Sequence, residues 1–109
     1  MNKNAKKWVK VLRNGRYKQT QGVLKDNVGY CCLGVACDLY GKEKNIKWKY
    51  DVFLTQTQGL PSLVKEWLGL TTCIGDYEES SLANENDDMV SFKRIAKIIE
   101  SEPEGLFIK

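Results

Sequence analysis

Residues 29–41 read GYCCLGVACDLYG and place three of the four cysteines of the chain between Cys31 and Cys37. From Cys31 to Tyr40 nearly every residue is apolar. A helix of that composition has no face left for water, so it must be covered on most sides. The stretch therefore predicts a central helix over residues 31–40, with Gly41 as its C-cap. Gly34 in its interior costs about 1 kcal/mol relative to alanine, which points to a second backbone pressed against the helix there.

The flanking segments read as a layer around that helix. Ala5, Trp8, Val9 and Leu12 recur at helical spacing with lysines between them, and Asn4 and Gly15 are placed to start and stop a first helix. Gly22–Lys25 reads as a short strand ending at the turn-forming residues 26–29. Ile46, Trp48, Tyr50 and Val52 alternate with charged residues, the period of a half-buried strand. Leu60, Leu63, Val64, Trp67 and Leu68 share a helical face, with Pro61 in the first turn and Gly69 beyond the end. Residues 71–90 are acidic and weakly periodic and read as a long loop with one turn near Leu82 and Ala83. Ser91 caps a last helix carrying Phe92, Ile95, Ala96 and Ile99 inward, and the terminal LFIK could add an edge strand. The expectation is one α+β domain, 1–109, of about four helices around the buried one and two or three short strands.

Composition is that of an ordinary globular chain, 42% hydrophobic and 28% charged over 109 residues. The net charge of +3 hides a division. Residues 1–49 carry twelve Lys or Arg against three acids, and residues 50–109 carry five against eleven. Either the first half offers a surface to an anionic partner, or the two halves fold onto each other and cancel. Lys10 and Arg13 interrupt the apolar run a secretory signal needs, and no stretch is long and apolar enough to span a membrane. A cytoplasmic protein with reduced thiols is expected.

The residues exclude several chemistries. Cys31, at a helix start, is the one candidate reactive thiol, in an arrangement like that of the papain-like hydrolases. Those enzymes use imidazole as base, and this chain has no histidine. Cys32 and Cys37 read as small core hydrophobes. The spacing of Cys31, Cys32, Cys37 and Cys73 provides no paired zinc knuckle, so no metal is expected. Residues 84–88, NENDD, place Asn84, Asn86 and Asp88 like the first ligands of a calcium loop. Met89 and Ile95 then occupy the positions of the required glycine and glutamate. Asn86 and Asp87 are equally suited to capping a turn. Phosphate-binding glycine loops are absent, and no cofactor is expected. SFKRIAKII resembles the first helix of a helix-turn-helix, but the ESEPEG after it supplies no basic recognition helix, so sequence-specific DNA binding is not expected. One basic, amide-rich segment remains: Arg13, Arg16, Tyr17, Lys18, Gln19 and Gln21, suited to phosphates and polar ring edges or to a solvated turn.

Trp8, GRYKQTQG, YCCLGVACDL, GLP followed by Trp67, LANENDD and SFKRIAKIIE together resemble a type of small protein encoded by bacteriophages and prophages, with a YCCLGVxCDL core and a C-terminal SFxxIAxxI helix. The resemblance implies a protein that acts by binding, either capturing a host immune signal or blocking a host defence protein. In the first case Arg13, Arg16, Tyr17, Lys18 and Gln19 would meet the phosphates of a small nucleotide-derived ligand. Trp48 or Tyr50 would cover a base, and Asn86 or Asp87 would accept from ribose, in a pocket within the chain or between subunits of a homo-oligomer. In the second, the basic half or the acidic 76–88 segment would cover a protein or nucleic-acid groove of the host, as in anti-CRISPR-like inhibition.

Overall fold

The computed structural model describes all residues, 1–109. Its order is α1 (Lys3–Arg13), α2 (Cys32–Lys44), α3 (Ser62–Leu68), β1 (Asp76–Tyr77), β2 (Ser80–Ser81), α4 (Leu82–Asp87) and α5 (Phe92–Glu100). This is an α+β domain with five helices and one two-stranded antiparallel hairpin, in which Asp76 faces Ser81 and Tyr77 faces Ser80.

α2 lies at the centre and packs against α1, α3 and α4, and α5 packs beside α1 and α4. Its buried residues run from Cys32 to Gly41, with only Asp38 partly reached by solvent, its side chain 13% exposed. The helix does not stop at Gly41. It continues through Lys44 and ends on Asn45 in the left-handed conformation, φ 58°. Asn45 tolerates that conformation, and Gly41 is needed for another reason. A Cβ there would lie 2.5 Å from the Ile46 carbonyl oxygen and 3.0 Å from the Phe53 ring. Gly34 plays the part its position predicts, since a Cβ would fall 1.8 Å from the Leu24 carbonyl oxygen. The 18–31 loop thus crosses directly over the helix.

α1 buries Ala5, Trp8, Val9 and Leu12, and its cap is Asn2 rather than Asn4: the Asn2 side chain accepts from the Ala5 N–H at 2.8 Å. The Trp8 indole N–H donates to the Cys32 carbonyl at 2.9 Å and ties α1 to the start of α2. α3 keeps Pro61 and Gly69 at its ends, but Leu63 points outward, 56% exposed, while Leu60, Val64 and Leu68 enter the core. α5 begins on Ser91, whose hydroxyl accepts from the Arg94 N–H.

Three segments depart from the sequence expectation. Gly22–Lys25 is not a strand, and only isolated bridges join Gln19 and Lys25 to Tyr30. Residues 46–56 are two tight turns, Lys49 bridging Val52 and Phe53 bridging Gln56, with positive φ at Tyr50, Leu54 and Thr55. Of the alternating residues Ile46, Trp48 and Val52 are part-buried while Tyr50 is exposed, and the fully buried Phe53 lies outside the alternation, on a winding chain with no neighbouring strand to pair. Residues 71–90 are not a loop: they form the hairpin and α4. Only Leu82 and Asn86, four residues apart, mark the inner face of α4, too little for a period to show. The terminal LFIK contributes a single bridge, Leu70 to Phe107.

The two oppositely charged halves interleave without cancelling. Of the five ion pairs, Arg13–Glu100 is the one between side chains of the first and second halves. No helix is long and apolar enough to cross a membrane.

Substituting Gly34→Ala forces the Leu24 backbone off α2. Urea unfolding should show a loss of about 3 kcal/mol, at the upper end of overpacking costs, whereas Gly22→Ala, which meets nothing within 4 Å and carries only the strain of its positive φ, 83°, should lose about 1–2 kcal/mol.

Candidate functional site

The site grows from one carboxylate. Asp38 is the only charged side chain in the buried stretch of α2, and both its oxygens are engaged. Oδ2 accepts from the Tyr17 hydroxyl at 2.5 Å, and Oδ1 accepts from the Trp48 indole N–H at 3.0 Å. Lys42, one turn along, places Nζ 3.2 Å from Oδ2 and donates to the Tyr17 oxygen at 3.3 Å. Burial, reinforced by the Asp38 charge, raises the Tyr17 pKa well above the ordinary phenol range, so the hydroxyl remains a donor. Tyr30 is shifted the same way, first by burial.

Around this carboxylate the aromatic rings form a continuous wall. Tyr17 meets Tyr30 edge-on at 5.0 Å, Tyr30 meets Trp48 at 5.9 Å, and Trp48 meets Phe53 at 5.0 Å. Lys25 Nζ stands 5.3 Å from the Trp48 ring and 5.7 Å from the Tyr30 ring, and Lys42 Nζ stands 5.6 Å from the Tyr17 ring, within cation–π range. An open groove of about 410 Å³ lies beside them, lined by Asp38, Gly41, Lys42, Asn45, Ile46, Lys47 and Trp48. Fixed aromatic edges with ammonium groups at the rim are suited to a planar ring carrying negative charge.

The other expected ligand residues are distributed differently. Asn86 is completely buried. Its Oδ1 accepts from the Cys32 N–H at 3.0 Å and from Gln19 Nε2 at 2.9 Å, and its Nδ2 donates to the Thr20 carbonyl at 2.7 Å. Gln19 also donates to the Val90 carbonyl. Asn86 and Gln19 therefore knit the 17–22 loop to α2 and α4, and Asn86 has no surface for a ligand. Asp87 Oδ1 accepts from the Gly22 N–H. Arg13 is held away from the groove by a bidentate pair with Glu100, at 2.7 and 3.0 Å. Arg16 and Lys18 are exposed and make no side-chain bond, and Tyr50 projects from its turn, 91% exposed. Of the residues expected to gather at a ligand, Tyr17 and Trp48 are brought together on Asp38, and Gln19 and Asn86 meet in the interior instead.

Asp38, Lys42, Tyr30, Lys25 and Lys47 were not foreseen as site residues. The signal was present for two of them. A single carboxylate in an otherwise apolar helix requires donors, and a lysine four residues later lies on the same face.

Cys31 borders a separate cavity of about 310 Å³, with Gln58 and Asp87 among its walls. Its sulfur caps α2 by accepting from the Gly34 N–H at 3.4 Å. Burial pushes its pKa up to about 11, against the opposing pull of the nearby backbone N–H groups. A thiolate fraction of roughly one in ten thousand at pH 7 follows, the reverse of what a nucleophile needs. Burial raises Cys32 and Cys37 as well. All four cysteines are free thiols, and no group of three His, Cys, Asp or Glu side chains is placed to hold a metal ion.

Two outcomes test this geometry. Asn86→Ala leaves the buried Cys32 N–H and the Thr20 carbonyl without partners and removes one of the two bonds of the Gln19 amide, and should lower unfolding stability by about 3 kcal/mol. Iodoacetamide at pH 8 should label the partly exposed Cys73 first. Cys32 and Cys37 should react only on unfolding, and Cys31 in the native protein should become reactive only as pH rises toward its raised value.

No curated protein and no solved structure matches the chain. Residues 1–103, which include α1 through α5 and every residue of the Asp38 groove, match the family described as Domain of unknown function (DUF8296), and the chain belongs to that family.

Proposed function

We propose that this protein acts by binding rather than by turnover, and that its ligand is a small nucleotide-derived anion seated in the Asp38–Trp48 groove. One observation carries the proposal: Asp38 clamps Trp48 and Tyr17 in place while Lys25 and Lys47, in no ion pair, stand at the same aromatic wall. A ring stacked on Trp48 would set its phosphates beside Lys42 and Lys47. The one remaining lone pair of Asp38, on Oδ1, is available to a sugar hydroxyl or an exocyclic amine. Because the rings are already fixed, little ordering is required when ligand arrives. The motif resemblance to proteins of bacteriophages and prophages supports a setting for this chemistry: an anti-defence protein in the cytosol of an infected bacterium, holding an immune signal out of circulation.

A second reading, blockade of a host defence protein, draws on the β1–β2 hairpin, where Asp76, Glu78 and Glu79 are exposed on one tight turn. Such a tip can imitate a phosphate backbone.

Calorimetry with a panel of cyclic dinucleotides and ADP-ribose derivatives tests the first reading. Saturable heat from at least one is expected, reduced ten-fold or more in affinity by Lys42→Gln with Lys47→Gln, and also by Trp48→Leu. Folded protein that produces no heat with any of them, yet retains a stoichiometric partner from infected-cell lysate, would replace capture by blockade.

A further inference from the structure

A different surface carries charge that neither the fold nor the Asp38 groove uses. α1 contains five cations, Lys3, Lys6, Lys7, Lys10 and Arg13, and no acid. α5, packed beside it, adds Lys93, Arg94 and Lys97 against a single carboxylate, Glu100. Arg13 is the only one of these eight that forms an ion pair. Between the two helices lies an open groove of about 410 Å³ whose walls are Arg13, Lys93, Arg94 and Lys97 and nothing else.

Local energetics argue against these residues as mere solvating groups. Lys93 and Arg94 occupy the second and third positions of α5, where the helix dipole disfavours positive charge, and the first turn has no acid to offset them. Lys97 lies four residues from Lys93 and three from Arg94, spacings at which like charges repel on one helix face. Lys97 itself stands in the last turn, where the dipole favours it, but the unfavourable dipole at Lys93 and Arg94 and the repulsion among the three cations act in the same direction, and an external polyanion reverses the sign of both.

We propose that the α1–α5 face docks the phosphodiester backbone of nucleic acid, without reading sequence. The groove has no aromatic, amide or carboxylate lining with which to address base edges, and phosphate contacts alone set position without specificity. An anionic membrane would call for apolar side chains at the same face, but Trp8, Leu12, Ile95 and Ile99 are turned into the core. An acidic protein partner would be expected to find an aromatic or apolar anchor at the centre of the patch, and the groove offers none.

Fluorescence anisotropy with two labelled 20-base-pair duplexes of unrelated sequence, titrated across salt concentration, tests this. Both should bind with equal affinity, and log Kd should rise with log salt at a slope of about 3–4, as four cations displacing counterions require. Lys93→Gln, Arg94→Gln and Lys97→Gln combined should weaken binding at least ten-fold and lower the slope by about 2–3. A control of equal net charge, Lys44→Gln, Lys49→Gln and Lys109→Gln, should bind like the natural protein. Circular dichroism melts establish that both variants are folded, and because the positions are exposed, glutamine should preserve the helix. Absence of binding at low salt, equal loss in the two triple variants, or preference for polyglutamate or phosphatidylserine vesicles over DNA would each overturn the proposal. Because the calorimetric assay uses the Asp38 groove and this one does not, either result stands without the other.

Discussion

The structure depends on the buried side chain of Asn86. One amide joins the first N–H of the central helix, the loop that precedes that helix and the short α4 from far along the chain. No other group present could serve. A carboxylate would lack the donor for Thr20, and an apolar residue would leave the buried Cys32 N–H and the Thr20 carbonyl without partners. Through this amide the segments GRYKQTQG, YCCLGVACDL and LANENDD, widely separated in sequence, become one assembly. Cys32 and Cys37 lie in the core as small hydrophobes, and Cys31 caps α2.

A second polar anchor, Asp38, organises the other end of the same helix. It differs from Asn86 in being reached by solvent. Tyr17, Trp48 and Lys42 satisfy it, and in doing so they become a rigid aromatic wall with a positive rim. Tyr17 and Gln19 belong to one short segment, yet the first donates to Asp38 and the second to the core amide of Asn86. The segment that looked like a single ligand-binding stretch is therefore divided between structure and surface.

Charge behaves as a surface property here and contributes little to the fold. The basic and acidic halves are threaded through one domain without extensive pairing, so the imbalance remains on the outside. It collects in two places of different character: beside aromatic rings at the Asp38 groove, and on bare helix faces at α1 and α5. The first can select a ring with phosphates, and the second can offer only field and point charges.

Where a segment carries its own period, the sequence was enough. Ala5, Trp8, Val9 and Leu12, the apolar run after Cys31, Ser91 with Phe92, Ile95 and Ile99, and the close approach at Gly34 are all local patterns, and each was legible. Tyr17 and Trp48 could be named as binding candidates from residue type alone. The turns at 46–56 and the hairpin with α4 were not legible, because a bridge between residues three apart and a six-residue helix are too short to establish a period. Nor could composition reveal that Asn86 is wholly interior while Asp38 is still reached by solvent. Both are polar residues in mixed surroundings, and their roles depend on which donors arrive from residues 10 to 67 positions away. Tertiary structure alone decided this, because a buried polar group is satisfied by whatever the fold brings to it and not by its neighbours in the chain.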